Sequence, residues 1–224
     1  GKNPVRERRV LAAMEKAGGS LLREAARSAH VALGQAATAP RSTIQTILAH
    51  GPLAKTIARE ARRVKADLII MGSRGLSDIQ GFLLGSISRQ VASMAPCSVW
   101  IVKQPTRKLL YVTLAVDDSK PSRAAAKFLR SYLLPETATV TILSSVESPV
   151  TDFAARYLSE SQLADLRKPV MERAAAFVNS VRDAFIKDGF LVVTQVQMDH
   201  VIETIVKHIE ANRDELLVIG SRDL

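Results

Sequence analysis

Short apolar runs alternate with amphipathic stretches along residues 108–224. Residues 109–116 are apolar and end in Asp117-Asp118-Ser119, which predicts a strand followed by a turn. Pro121 and Ser122 then open a predicted helix through Ala124, Ala125, Ala126, Phe128 and Leu129. Proline fits a first helical turn because its missing N–H would have no partner there. Residues 139–145 are apolar and β-branched, a second strand. Residues 152–187 are predicted helical, broken near Ser159-Glu160-Ser161, bent near Pro169 and closed at Gly189. Residues 190–197 read as a third strand and 216–219 as a fourth. Between them a helix over 201–211 is expected to bury Val201, Ile202, Ile205, Val206 and Ile209. The earlier part of the chain reads as a long helix over 5–36 interrupted at Gly18-Gly19, a strand over 43–48 and a helix from about 52. A strand over 67–71, a helix over 86–94 and a strand over 98–102 follow.

The two parts are copies. A shift of 148 residues lays Asp67-Leu68-Ile69-Ile70-Met71-Gly72-Ser73-Arg74 over Glu215-Leu216-Leu217-Val218-Ile219-Gly220-Ser221-Arg222 without a gap. Thr56 falls on Thr204 and Ile57 on Ile205. The chain therefore holds about one and a half copies of a β-α-β-α-β-α-β-α-β unit. That alternation implies an α/β fold, a parallel sheet with helices on both faces. Two domains are expected. The first, 1–104, lacks the unit's first strand, helix and second strand; the second, 108–224, lacks its last helix and strand. Either the sequence has lost both ends of a longer protein or another chain completes each sheet.

With 47% hydrophobic and 24% charged residues, the composition is that of a folded globular protein. No apolar run approaches the roughly 18–20 residues of a membrane span. No signal peptide is read at the start, and the single cysteine, Cys97, is expected as a buried core thiol. A cytoplasmic setting is the simplest expectation. The formal charge of +9 is uneven: residues 1–107 carry 17 Lys+Arg against 6 Asp+Glu, and residues 108–224 carry 14 against 16. Only 4% of residues are aromatic, and no basic–aromatic interleaving suits base stacking, so no nucleic-acid interface is expected.

The candidate chemistry lies at Gly72-x2-Gly75-x9-Gly85-Ser86, directly after the apolar strand that ends at Met71. Glycine lets the backbone approach a ligand closely, and a helix N-terminus supplies unpaired N–H groups for phosphate oxygens. Gly85-Ser86-Ile87-Ser88 opens the next predicted helix, with the Ser86 and Ser88 hydroxyls as further donors. This pattern resembles the universal stress protein family. The resemblance is carried by Ala66-Asp67-Leu68-Ile69-Ile70-Met71-Gly72-Ser73 before the loop, Ala95-Pro96-Cys97-Ser98-Val99 after it, and Ala115-Val116-Asp117-Asp118-Ser119 in the second copy. It implies a Rossmann-like five-stranded parallel sheet of order 3-2-1-4-5, repeated in tandem as a pseudo-dimer. The roughly five residues between the copies span at most about 17 Å, which suits sheets placed side by side rather than one permuted domain. The resemblance further implies an ATP site lined by Met71, Gly72, Arg74, Gly75, Gly85, Ser86, Ile87 and Ser88. Asp117 would meet the nucleoside part in its own copy.

No Gly-x4-Gly-Lys-Ser/Thr motif, metal-ligand cluster or nucleophile–His–acid set is present in the sequence. Binding is expected without catalysis beyond slow ATP hydrolysis. The expected ligand is ATP, with or without magnesium, and no metal site of the protein's own. The expected function is that of an ATP-binding regulatory protein of the stress response, acting as a homo-oligomer or intramolecular pseudo-dimer without a membrane partner. Asp223, where the first copy has Gly75, spoils the second loop for phosphate. A non-nucleotide interaction module of the same fold, or the soluble regulatory part of a larger transporter or kinase, remains the alternative.

Overall fold

A computed structural model describes residues 4–34, 43–73, 84–104, 109–131, 134–135 and 137–221. The chain divides into two compact units, Gly1–Lys103 and Gln104–Leu224.

The first unit contains α1 (Pro4–Gly34), α2 (Leu53–Val64), β1 (Leu68–Gly72), α3 (Ser86–Met94) and β2 (Ser98–Val102). β1 and β2 pair in parallel from Leu68↔Ser98 to Gly72↔Val102. α2 and α3 pack together, burying Ala54, Ala58, Ala61 and Val91. The Arg62 guanidinium ties the two helices by donating to Met94 O at 3.2 Å.

Two expectations change here. α1 runs unbroken through Gly18-Gly19, although each helical glycine costs about 1 kcal/mol relative to alanine. Residues 43–48 form no strand, and Ile47 and Leu48 are exposed. In a 3-2-1-4-5 sheet that segment would pair with a second strand, and the described residues of this unit include none. A β-propensity without a ladder partner leaves extended chain, not sheet.

The second unit contains β3 (Tyr111–Ala115), α4 (Lys120–Ser131), β4 (Thr139–Val146), α5 (Asp152–Ala155), α6 (Glu160–Lys187), β5 (Leu191–Met198), α7 (Val201–Asn212) and β6 (Leu216–Ile219). Its sheet has four parallel strands in the order β5-β4-β3-β6. In the numbering of the repeat this is third-second-first-fourth, with no fifth strand among the described residues.

The pleat of the central strands sorts the core. Val112, Leu114, Val140 and Ile142 join Leu129 of α4 and Phe177, Val178, Val181 and Phe185 of α6 in one buried cluster. The alternate residues face α7 and the turn after it: Thr113 Oγ1 donates to Asp214 Oδ2, and Ser145 Oγ lies 3.2 Å from Thr204 Oγ1. The predicted break near Ser159 is a built helix start. Ser159 Oγ accepts the Gln162 N–H and Gln162 Oε1 accepts the Ser159 N–H, a reciprocal cap. α6 continues through Pro169, and Gly189 follows it at φ +90°.

The expected apolar face of α7 is rotated. Ile202 is 79% exposed and Val206 47%, whereas Thr204 is 1% exposed at the centre of the packed face. Gln197 Nε2 donates to the Thr204 hydroxyl at 2.8 Å, so a satisfied polar group occupies the position that periodicity assigns to aliphatics.

Candidate functional site

In the first unit the strand runs into the glycine segment as expected, and the two ends of that segment are joined. Ser73 N–H extends the ladder to Val102 O at 2.9 Å. Gly85 N–H donates to Ser73 O at 2.8 Å, which returns the chain to the point where it left β1. The Ser88 hydroxyl, buried on the first turn of α3, donates to Gly72 O at 3.0 Å and Ser73 O at 3.2 Å. These bonds hold the N-terminus of α3 at the carboxyl end of β1.

Gly85 is the N-cap residue of α3 and has no side chain with which to cap it. Arg89 N–H makes the first helical bond, to Gly85 O at 3.1 Å. The N–H groups of Ser86, Ile87 and Ser88 belong to the turn that an α-helix leaves without intrahelical acceptors. They carry the positive end of the helix dipole, a setting suited to an oxyanion. Ser86 is exposed and Ile87 half-buried, so the Ser86 hydroxyl is available beside those N–H groups. Ser88 differs from expectation. Its one hydroxyl hydrogen is committed to the backbone at the base of the loop, leaving its N–H as its donor toward a ligand.

Met71 is half-buried and Gly72 exposed at the end of β1. Arg74 and Gly75 lie outside the described residues. Ser73, not singled out by the glycine pattern, makes the most bonds at the base of the loop. The repeat carries a signal for it, since the 148-residue shift places Ser221 on it.

Asp117 belongs to the second unit, at the point after β3 where the strand order reverses, a common ligand position in parallel sheets. Its Oδ1 accepts the Ser119 N–H at 3.1 Å, and its own N–H donates to Ser122 Oγ at 3.4 Å. Ser119 Oγ in turn caps α4 by accepting the Ser122 N–H at 3.2 Å. Asp118, in the predicted turn, adopts φ +63° and pairs with Arg123 and Arg173.

At the end of β6, Gly220 lies against the start of α4. A Cβ on it would fall 2.5 Å from Pro121 C and Ser122 N. Glycine after the fourth strand is thus demanded by backbone packing in the second unit.

Cys97 is a half-buried thiol. Burial, reinforced by the Asp67 carboxylate, raises its pKa, which keeps it protonated and slow as a nucleophile. Among the described residues no cluster of His, Cys, Asp and Glu could hold a metal ion. No described helix is long and apolar enough to cross a membrane.

Parallel strands joined through helices define an α/β protein. The universal stress protein family model matches residues 4–103 and again 111–224, and the chain belongs to that family. It is 38% identical over 65 residues to a universal stress protein of Methanocaldococcus jannaschii, a match covering 29% of this chain and 38% of that one. It is 44% identical over 57 residues to one from Thermus aquaticus, covering 25% of this chain and 42% of that one. The matched segments thus span about two fifths of those relatives. A universal stress protein structure from Archaeoglobus fulgidus superposes with a TM-score of 0.62 at 20% identity, covering 95% of this chain and 68% of that one. This last likeness shows the α/β fold.

Proposed function

We propose that this chain is an ATP-binding regulatory protein of the stress response, with the phosphates held by the glycine segment of the first unit. The observation that carries the reading is the closed base of that segment. Ser73, Gly85 and Ser88 bond to one another so that the first turn of α3 meets the end of β1. The residues present fit the phosphate end of a nucleotide: the first-turn N–H groups of α3, an exposed Ser86 hydroxyl and a glycine cap. Phosphate would be bound at Gly85–Ser88, with Gly72 leaving room at the strand end. Magnesium, where present, would arrive with the nucleotide.

On this reading the protein acts by binding, with at most slow hydrolysis. We place it in the cytoplasm, as a homo-oligomer or an intramolecular pseudo-dimer. Calorimetric titration of the full chain with ATP tests the reading. Saturable binding by about 1 mM ATP, abolished by Gly85→Asp, is expected, because a carboxylate there would oppose the phosphate charge. An isotherm that Gly85→Asp leaves unchanged would sink it.

The second unit supports a different reading for itself. Asp223 stands where the first copy has Gly75, and a carboxylate there repels phosphate. That unit serves as an interaction module on the same fold, a role equally compatible with a regulatory part of a larger transporter or kinase.

A further inference from the structure

The helical face of the second unit formed by α4 and α6 carries a groove of about 180 Å³. α4 contributes Arg123, Ala126, Lys127 and Arg130; α6 contributes Phe177, Ser180, Val181 and Ala184. Three cations therefore stand at i, i+4 and i+7 on one helix. That spacing spans about 10 Å along the helix axis.

The groove already shows which charge it accepts. Asp118 pairs with Arg123 at one end, and Asp188 binds Arg130 at 2.6 Å at the other. Lys127, between them, is exposed and has no carboxylate partner among the described residues. The floor is apolar: Ala126 and Val181 are buried and Ala184 half-buried. The Ser180 hydroxyl is turned to its own helix, donating to Phe177 O at 2.7 Å.

The size excludes a cofactor. Ligand pockets run to roughly 300–1,000 Å³, so this one accommodates a side chain or two. Nucleic acid is disfavoured twice. The Phe177 ring is covered by the Arg123 guanidinium at 4.5 Å, so no base can stack on it. The surrounding half of the chain carries 14 basic against 16 acidic residues, not the field that attracts a polyanion.

We infer that the α4–α6 groove docks an acidic amphipathic helix of a partner protein. One aliphatic side chain of that helix would seat on Ala126, Val181 and Ala184, with its carboxylates a turn apart along Arg123, Lys127 and Arg130. Lys127 supplies the cation not yet engaged, and the two arginines keep donors beyond those their own aspartates use. The inference stands independently of nucleotide binding.

Fluorescence anisotropy of the full chain with a short labelled helical peptide, glutamates flanking a central leucine, tests this. Saturation is expected below about 1 mM peptide. Binding should weaken about tenfold when the glutamates become glutamines, and again between about 50 and 300 mM salt. Lys127→Glu should weaken it at least about tenfold, as should Ala184→Glu, which places a carboxylate on the floor. Lys207→Glu on α7 should change nothing. Circular dichroism of each variant checks that it remains folded. Absence of saturation, indifference to both groove substitutions, or tighter Lys127-dependent binding of a single-stranded oligonucleotide overturns the inference.

Discussion

Two residues reproduce the repeat at the level of a single dihedral angle. Lys65 closes α2 at φ 52° and Arg213 closes α7 at φ 55°, and the two are 148 positions apart. Left-handed backbone costs an L-residue roughly 1–2 kcal/mol, and glycine avoids that cost. Arg213→Gly is expected to raise stability by about 0.5 kcal/mol once the extra freedom of unfolded glycine is subtracted, measured by urea denaturation. Gly220 behaves in the opposite sense. Backbone atoms of Pro121 and Ser122 occupy the place of its Cβ, so the neighbours cannot yield by a side-chain rotation. Gly220→Ala should destabilise the second unit by about 1–3 kcal/mol in the same assay. The sequence marks Gly220 as the counterpart of Gly72, but not that the place of a Cβ on Gly220 is filled by the start of α4.

At the level of elements, helix starts and strands were legible where their determinants are local. The break expected near Ser159-Glu160-Ser161 is the start of α6, where both halves of a Ser159–Gln162 cap form. Ser159→Ala should lower stability by about 1 kcal/mol, seen as a shift of the denaturation midpoint without a change in slope. Elements whose character depends on a partner were not legible. Residues 43–48 have strand composition but no described neighbour to pair with. Thr204 reads as a polar interruption of an aliphatic face, yet Gln197 and Ser145 make it the centre of that face. Its counterpart Thr56 is buried with no hydrogen-bond partner for Oγ1 among the described residues, and the position matching Ser145 precedes residue 1. The same hydroxyl is thus satisfied in one copy and orphaned in the other.

Across the whole molecule, the glycine segment was readable as strand–loop–helix, and its inner wiring was not. Spacing locates Gly72, Gly85 and Ser86, whereas the roles of Ser73 and Ser88 come from backbone atoms that no motif encodes. Charge placement has a consequence for acid sensitivity. Hydrogen bonding to Arg63 lowers the Glu60 pKa in the first unit, and hydrogen bonding to Arg130 lowers that of Asp188 in the second. A depressed carboxylate contributes stability above its unfolded pKa and loses it as pH falls through the depressed value. Arg130→Gln is therefore expected to cost stability at neutral pH and nothing once Asp188 is protonated, a difference read from denaturation curves at the two pH values. Asp188 is solvent-exposed and Glu60 half-buried at the surface, so the effect is small.

The wiring of β6 carries a consequence for the order of folding. β3 meets β4 across a separation of 28 residues and β4 meets β5 across 52. β6 meets β3 across 104 residues, and there the Glu215 carboxylate accepts the N–H groups of Leu110 and Tyr111. Closing that longer loop costs about 1 kcal/mol more than closing the first. The three-strand ladder can therefore nucleate before β6 arrives, leaving β6 to zip on last and to detach first. The Glu215 carboxylate acts as a latch on a late step: its loss would hasten unfolding and leave the rate of folding nearly untouched.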